Sequence, residues 1–344
     1  MKNPHFAEAS RGKPILCLAP MADVTDAAFR YIISKYSKKL PKGIFKMPRS
    51  QKMPFGNFVT YTEFVSADGL ILAPEEGRKK LLKDLEYSEI ERPIVAQFFT
   101  SKPEMMEKAV KLAVELGFDG IDINMGCPDK GIEKQGAGAA LIKNPLLARQ
   151  LIKAAKQGAK DAIPVSVKTR LGYNKDELET WLPELLAENP AAIIIHARTR
   201  KEMSKTPANW ERIKRAIEMR DEMSKGIFDI KTLIIGNGDV KDVADALEKC
   251  KETGADGTML GRAIFGNPWL FADYRPTNEE RIEALLEHTK LFKEKFNGIK
   301  SFAIMKKHFK EYLKEPSLRD LRFKLMRTNT AKEAENILMQ FNTQ

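Results

Sequence analysis

The chain has 344 residues, of which 43% are hydrophobic and 31% are charged, a composition typical of a globular protein with one large core or two domains. It has no run of about 18 apolar residues that would predict a membrane helix, and residues 1–11 lack the apolar centre of a secretory signal. Its three cysteines are too few and too scattered for a disulfide framework or a zinc site. We therefore expect a soluble, cytoplasmic protein without a membrane segment or a metal site.

The net charge of +11 is distributed unevenly along the chain. Residues 27–62 contain eight Lys or Arg and no Asp or Glu, and residues 275–344 contain fifteen Lys or Arg against ten Asp or Glu. Two concentrated basic regions favour contact with a long anionic partner. A solvated surface is the alternative for each region taken by itself.

Short β-like runs alternate with helical segments from residue 15 to about residue 270. The first run precedes a helix that Thr25 is expected to cap and that continues to about Tyr36, and a helical segment follows each of the other runs. Eight such βα units predict an α/β fold, a closed (β/α)8 TIM barrel. The eight predicted strands are 15–19, 58–65, 93–98, 119–124, 163–169, 192–196, 232–235 and 257–260.

The segment after the fourth predicted strand interrupts the alternating pattern. Residues 125–128, Met-Gly-Cys-Pro, combine a flexible glycine, a thiol and a proline without an N–H, which cannot extend a strand but can hold Cys127 over a pocket. The small residues at 136–140 are expected to let a bulky partner approach the backbone before a helix at 141–156. Cys17 and Cys250 lie in an apolar strand and on a helix, where we expect them to be packing residues.

Five polar residues lie at the carboxyl ends of the predicted strands, the rim on which a TIM barrel builds its active site. Taken singly, Lys168 could extend to solvent, and His196 could be a structural residue after three isoleucines. Their occurrence on one rim favours a shared functional site. The five residues are Gln97, Asn124, Lys168, His196 and Asn237.

Glycines after the last two strands indicate a phosphate-binding site. Gly236-Asn237-Gly238-Asp239 follows strand seven, and Gly261-Arg262 follows strand eight. This part of a TIM barrel commonly holds a phosphate, and a phosphorylated cofactor would fit there. The Gly-Asn-Gly motif alone is weak, because it also occurs in ordinary turns.

The strand pattern ends after Pro276, and residues 277–344 predict three or four helices. Thr277 is expected to cap the first of them, with Glu280 completing a capping box. We therefore divide the chain into a barrel domain of residues 1–274 and a smaller helical domain of residues 275–344. The basic residues of this second domain could follow an RNA backbone. The aromatic residues between them are expected to form the core of an amphipathic helical bundle. They are Phe302, His308, Phe309 and Tyr312.

At this point the motifs, in their order, resemble those of the tRNA dihydrouridine synthases, over roughly residues 14–275 and more faintly in the helical tail. The motifs are APMA (19–22), VTD (24–26), TEFVSA (62–67), NMGCP (124–128), KTRLG (168–172), HARTR (196–200), GNGD (236–239), GR (261–262) and GNPW (266–269). The chain departs from the family pattern at Ala197, Ser204 and Thr206, which indicates a differently shaped loop at 201–209. Residues 38–57 look like a basic insertion relative to the family.

The resemblance implies an FMN enzyme that uses NADPH to reduce the C5–C6 double bond of a uridine in tRNA. Separately from the resemblance, we expect a monomer. Cys127 would be the catalytic acid. The residues implied for the cofactor are Pro20, Met21, Gln97, Lys168, His196, Asn237, Gly238, Gly261 and Arg262. The residues implied for the tRNA substrate are Asn124, Arg198, Lys306, Lys307 and Arg322.

Two other functions stay open at this point. A flavin-dependent barrel acting on a free pyrimidine, like dihydroorotate or dihydropyrimidine dehydrogenases, has a similar fold and also needs an acid or base opposite the flavin. A tRNA-binding protein without catalytic activity is the second alternative. We further expect the insertion at 38–57 to emerge on the same rim as Cys127 and to face incoming RNA, with a solvated loop as the alternative.

Overall fold

The structure, a computed structural model, describes residues 13–38, 58–225, 230–272 and 274–342. Eight parallel strands form one sheet in the order β1-β8-β7-β6-β5-β4-β3-β2. All eight strands predicted from the sequence are present, with ends that differ by no more than two residues. The strands are β1 Ile15–Leu18, β2 Thr60–Ser66, β3 Ile94–Phe99, β4 Gly120–Asn124, β5 Val165–Arg170, β6 Ala192–His196, β7 Leu233–Asn237 and β8 Gly257–Leu260.

The sheet is closed by contact between its first and last members in the strand order. Val59, immediately before β2, bridges to Cys17 in β1. The Val59 N–H donates to the Leu16 carbonyl, and the Leu18 N–H donates to the Val59 carbonyl, both at 2.8 Å. The predicted TIM barrel is therefore confirmed, and the carboxyl ends of all eight strands meet at one rim.

Side chains of alternate strand residues fill the barrel, and the opposite faces of the strands pack against the surrounding helices. Tyr61, Ile194 and Met259 belong to the inner core. The helices of the barrel layer are α1 Ala27–Lys38, α2 Ala67–Leu72, α3 Glu75–Asp84, α4 Pro103–Glu115, α5 Lys130–Lys134, α6 Pro145–Ala159, α7 Leu178–Leu186, α8 Glu211–Ser224 and α9 Val243–Thr253.

Two predicted helix starts are wrong. Asp26, not Thr25, caps α1, because its Oδ1 accepts the N–H groups of Ala28 and Phe29 at 2.9 Å. The helix predicted at 141–156 begins at Pro145, after a 3₁₀ segment, Gly138–Lys143. Asn144 separates the two segments and caps the α-helix through Oδ1.

Four α-helices follow the barrel, as the sequence predicts: α10 Asn278–Phe296, α11 Met305–Tyr312, α12 Arg319–Met326 and α13 Ala331–Asn342. The predicted capping box at Thr277 and Glu280 is present. His308, Phe309 and Tyr312 are buried, and they pack with Phe29 of α1 in a core that the helices share with the barrel. None of the described helices is long and apolar enough to cross a lipid bilayer. The division at residues 274 and 275 stays a prediction.

The basic insertion at 38–57 lies outside the described residues except for Lys38. The expectation that it connects at the rim of Cys127 is wrong, because α1 precedes it and returns the chain to the amino end of β2. Lys38 Nζ donates to the carbonyls of Ile90 and Arg92, just before β3, at 3.0 and 2.8 Å. Both ends of the insertion therefore join the barrel at the face opposite the active-site rim.

Candidate active site

A cavity of about 720 Å³ opens at the carboxyl ends of the strands, a size common for small-molecule sites. Twelve residues predicted for the site within the barrel all line it: Pro20, Met21, Gln97, Asn124, Cys127, Lys168, His196, Arg198, Asn237, Gly238, Gly261 and Arg262. The reason is topological. Each follows a parallel strand or lies in its carboxyl-terminal half, so barrel closure brings all twelve to one mouth.

A relay of hydrogen bonds connects the buried barrel interior to the segment that carries Cys127. Asp122 accepts Ser166 Oγ and Gln97 Nε2, each at 2.6 Å. Since the carboxylate accepts from the Gln97 amide nitrogen, Gln97 Oε1 is free to accept Asn124 Nδ2 at 3.0 Å. Asn124 Oδ1 then accepts the Cys127 N–H at 2.9 Å. Asn124 therefore fixes the backbone at Cys127, in addition to lining the cavity.

Cys127 is half-buried, and burial raises the pKa of its thiol above the usual value. The thiol therefore keeps its proton at neutral pH. The small residues that follow pack against this segment instead of facing a bulky ligand, which corrects the expectation for 136–140. The Ala139 N–H donates to the Cys127 carbonyl at 2.9 Å, and a Cβ on Gly138 would lie 2.7 Å from the same oxygen.

Lys168 and Arg170 extend from the same face of β5 toward Cys127. Burial and the charge of Arg170 lower the pKa of Lys168 to about 8. Burial also lowers the pKa of Arg170 to about 10, so both side chains are cationic near neutral pH. Arg170 Nε donates to the Gly126 carbonyl at 2.7 Å, which gives the Cys127 segment a second support.

His196 is neutral in this cavity, because burial and the charges of Lys168, Arg170 and Arg198 lower its pKa to about 2. Arg198 Nη1 lies 3.1 Å from His196 Nε2. Since a guanidinium can only donate, Nε2 is the acceptor and the imidazole proton is on Nδ1. Arg198 is only 3% exposed, and it also donates to the Thr206 carbonyl and to Asp239. It orients His196 and has little surface left for RNA.

The turn after β7, which contains Gly238 and Asp239, is held by ion pairs and by close packing. Asp239 pairs with Arg198 and with Arg262, whose Nη2 donates to Oδ1 at 2.7 Å. Gly238 has φ +127°, and a Cβ there would lie 2.8 Å from Ala208 Cβ. Only glycine fits this position without strain. Trp210 Nε1 donates to the Gly238 carbonyl at 2.9 Å and fixes the turn from below.

The residues predicted for tRNA contact in the helical tail do not line this cavity. Lys307 reaches the rim, where its Nζ lies 3.4 Å from Asp23 Oδ2. Arg322 donates to the Leu313 carbonyl at 2.8 Å and lines a separate groove with Lys310, Lys314 and the exposed Phe323. Lys306 is half-buried at the start of α11.

Arg170, Asp122 and Asp239 are site residues that the sequence interpretation did not assign. A signal existed for the first two. Arg170 lies two residues after Lys168 and Asp122 two residues before Asn124, which places each pair on one strand face. Asp239 lies within the motif considered for phosphate, but its pairing with two arginines depends on the β6 and β8 loops, which no local pattern reveals.

The two other cysteines lie outside the cavity. Cys17 is buried inside the barrel, and Cys250 is buried with its Sγ 2.8 Å from Thr258 Oγ1. Within the described ranges, no group of three or more His, Cys, Asp or Glu side chains is arranged to hold a metal ion.

Two relatives are similar to nearly the whole of this chain. A "Probable tRNA-dihydrouridine synthase" of Staphylococcus aureus (strain COL) is 37% identical over 351 residues, covering 100% of this chain and 97% of that protein. "Probable tRNA-dihydrouridine synthase 2" of Bacillus subtilis (strain 168) is 36% identical over 335 residues, covering 96% and 94%. Among solved structures, morphinone reductase is similar with a TM-score of 0.47 and 13% identity, covering 74% of this chain and 84% of that chain.

The sequence profile of the family described as Dihydrouridine synthase (Dus) matches residues 17–344, which is nearly the whole chain. The match includes both the barrel and the helical tail. It agrees with the resemblance found in the motifs and with the full-length similarity to the relatives above. The chain belongs to the dihydrouridine synthase family.

Proposed function

We propose that this protein is a tRNA-dihydrouridine synthase that binds FMN, takes hydride from NADPH and reduces the C5–C6 double bond of uridine in tRNA. The observation that carries the proposal is the convergence of the Cys127 thiol, Lys168 and His196 in one cavity of a chain that belongs to this family. Among the described residues, this cavity holds all twelve of the barrel positions predicted for the reaction.

The charge and shape of the cavity fit a phosphorylated flavin. Among the described residues, its lining contains five Lys or Arg side chains and a single carboxylate, Asp239. Arg262 is 62% exposed at the mouth beside Gly238 and Gly261, where a phosphate would meet a guanidinium and little side-chain bulk. Lys168 makes no hydrogen bond or ion pair with another described side chain, so its amine is available to a ligand. FMN, when bound, supplies the hydride chemistry.

Cys127 is the proposed proton donor to C5 of the uridine. Its raised pKa keeps the thiol protonated at neutral pH, as an acid requires. The Asp122 relay and Arg170 hold the segment from two sides, so the thiol has a fixed position over the cavity. The nearby cations of Lys168 and Arg170 favour the thiolate that remains after the proton is given up.

Lys168, His196 and Gln97 are proposed to orient the cofactor. With FMN bound, the Lys168 ammonium would stabilise the negative charge of the reduced ring. His196 presents a neutral Nδ1–H, because its Nε2 is occupied by Arg198. Gln97 keeps one N–H and one oxygen lone pair after its internal hydrogen bonds, which suffices for one further donor and acceptor contact.

The helical tail is the proposed surface for the tRNA backbone. Lys307, Lys310 and Lys314 recur at spacings of three and four, so they share one face of α11 and its end. This face begins at the cavity rim, where Lys307 meets Asp23, and continues to Arg322. Phosphate contacts of this kind require only accessible cations and no base recognition.

The proposal is tested by incubating purified protein with NADPH and an unmodified tRNA transcript. A bound flavin spectrum and a uridine product heavier by two hydrogen atoms are expected. Reduction of free uracil in place of tRNA would favour the free-pyrimidine enzyme. A colourless protein that binds tRNA without product would favour a binding protein. Mapping dihydrouridine in tRNA from cells with and without the gene identifies the modified position.

A further inference from the structure

Glu63 in β2 is only 6% exposed and connects two distant parts of the chain. Its Oε1 accepts the backbone N–H of Asp23 at 2.6 Å, and its Oε2 accepts Lys300 Nζ at 2.6 Å. The register of β2 against β3 shifts between Tyr61 and Phe64, so Glu63 lies at an irregularity that redirects side chains. One carboxylate thus joins the loop after β1 to the helical tail.

Lys300 occupies the loop between α10 and α11 and is 14% exposed. Its Nζ also lies 2.7 Å from Asp84 Oδ1, at the end of α3. The ammonium is therefore paired with two carboxylates that would repel each other in a poorly solvated environment. Removal of one charged side chain from this group leaves the charge of another unpaired. The contacts of Glu63, Lys300 and Asp84 are therefore energetically coupled.

The residue held by Glu63 has an unusual backbone conformation. Asp23 has φ +54°, in the left-handed region that non-glycine residues seldom adopt. The four residues before it, Ala19 to Ala22, line the cavity and include Pro20 and Met21. The hydrogen bond from Asp23 to Glu63 therefore fixes the conformation of a loop that forms part of the cavity wall.

We infer that Glu63 and Lys300 are positioning residues that hold the loop of residues 19–23 against the cofactor, so that docking of the helical tail sets the shape of the cavity. This inference rests on the proposed function, because it takes the ligand to be FMN. Neither side chain lines the cavity, and both act through the Asp23 backbone. The helical tail thus contributes to flavin retention as well as to RNA contact.

The protonation of Glu63 provides a readout that separates positioning from general stabilisation. Burial raises the pKa of Glu63 to about 7, Lys300 opposes this rise, and Asp26 and Asp84 add to it. Asp23 and Lys307 also carry charge at this loop, where their side chains lie 3.4 Å apart. Protonation removes the charge that pairs with Lys300, so the hold on Asp23 weakens as the pH falls through 7.

The test compares the rate at which FMN leaves purified holoprotein, followed by the rise of free-flavin fluorescence. Glu63→Gln and Lys300→Met are each expected to release FMN at least about fivefold faster at pH 8. The double variant should release it no faster than the more affected single variant, because both changes break one connection. Lys300→Arg keeps the charge and should stay near the wild-type rate.

Glu188→Gln is the matched control. Glu188 is 9% exposed and pairs with Arg149 at 2.7 Å, away from the cavity. Its variant should release FMN at the wild-type rate within twofold. For Glu63→Gln, the ratio of variant to wild-type release rate should fall toward one between pH 8 and pH 6, because wild-type Glu63 becomes protonated. The effects of other titrating groups, which are the same in both proteins, cancel in this ratio.

Release rates within twofold of wild type for both Glu63→Gln and Lys300→Met would overturn the inference. So would a ratio that does not change with pH, or a Glu188→Gln variant that loses FMN equally fast, since these mark a loss of general stability. If Glu63→Gln does not fold, the contrast between Lys300→Met and Lys300→Arg decides. Wild-type protein that binds no flavin would overturn the proposed function itself, which is a separate and visible result.

Discussion

Cys127 is suited to donate a proton because it is buried enough to stay a thiol and is held in place through its backbone. Cys127→Ala should still bind FMN and should still be reduced by NADPH, since the hydride path does not use the thiol. Turnover on tRNA should fall by about 10²- to 10⁴-fold, the usual contribution of a positioned acid. Anaerobic flavin reduction and steady-state tRNA assays measure the two steps separately.

The conservative control is Cys250→Ala, which removes a buried thiol that lies outside the cavity. It should leave tRNA turnover near the wild-type value. Near-normal turnover of Cys127→Ala would show that the acid is another group.

Lys168 predicts a pH dependence for flavin reduction. Its pKa of about 8 means that the ammonium is present below pH 8 and is lost as the pH rises through that value. The rate of reduction by NADPH should therefore decrease above pH 8. Lys168→Met should be slower at pH 7 by on the order of a hundredfold, and its rate should be nearly independent of pH. Stopped-flow reduction between pH 6.5 and 9 tests this, and superimposable pH profiles would contradict it.

The residues that line the cavity could be predicted from the sequence, but the hydrogen bonds that support them could not. Gln97, Lys168 and His196 can be predicted because each lies in the carboxyl-terminal half of a recognisable strand and parallel strands share one rim. The Asp122 relay depends on the register between β3, β4 and β5, which pairs Gln97 with Asp122 and Asn124 with Lys168. The spacing within β4 places Asp122 and Asn124 on one face, but it does not show which residues of β3 and β5 lie beside them.

Two glycines with positive φ should differ in how much stability they lose on substitution by alanine. Gly238 lies in the turn between β7 and α9, and Gly298 lies between α10 and α11. Gly238→Ala combines an unfavourable φ with a Cβ 2.8 Å from Ala208 Cβ, and should lower the free energy of unfolding by at least about 3 kcal/mol. Gly298 has φ +74°, but a Cβ added there would have no atom within 4 Å. Gly298→Ala should therefore lower the free energy of unfolding by about 1–2 kcal/mol. Denaturant unfolding measures both values, and equal losses would show that the close approach to Ala208 is unimportant.

Element types were predictable and element starts were less so. Short apolar runs identify all eight strands, and helical periodicity identifies the helices between them. Both patterns arise because the residues that face the core of the barrel must be apolar. The start of α6 was misplaced because residues 138–143 form 3₁₀ turns around the Cys127 segment, a tertiary contact. The insertion at 38–57 follows a helix that the sequence already predicts, and that helix places both ends of the insertion at the amino ends of the strands.

The barrel and the helical tail share one apolar core, and two buried histidines lie within it. His288 and His308 have ring centroids 4.5 Å apart, and both rings pack on Phe29 of α1. Neither ring nitrogen of either residue has a hydrogen-bond partner among the described residues. Burial lowers the pKa of His308 to about 3 and that of His288 well below its usual value.

Acid should therefore destabilise the whole molecule through these histidines. Their pKa values are depressed in the folded state, so the unfolded chain binds protons first and stability is lost as the pH falls below about 6.5. Between pH 7 and pH 5 the two together should lower the free energy of unfolding by about 4 kcal/mol. Urea unfolding of wild type and a His288→Leu/His308→Leu variant at both pH values isolates this contribution. An equal pH dependence in both proteins would contradict it.

The basic face of the helical tail should dominate the electrostatics of tRNA binding. Lys307, Lys310, Lys314 and Arg322 lie along a surface that begins at the active-site rim, whereas the insertion joins the barrel at the opposite end. Changing these four residues to Ser should flatten the log–log salt dependence of tRNA binding by roughly 0.7 to 0.9 units for each phosphate that the variant no longer binds.

The matched comparison removes four charges from the insertion, Lys42, Lys46, Arg49 and Lys52, which also become Ser. Because both variants have the same net charge, a long-range field effect would change both salt slopes equally. Direct phosphate binding by the tail would change only the salt slope of the tail variant. The flavin spectrum and NADPH oxidation should be unchanged in both variants. Titration of labelled tRNA at several salt concentrations distinguishes the two cases, and a slope that flattens only in the insertion variant would move the tRNA surface to the other end of the barrel.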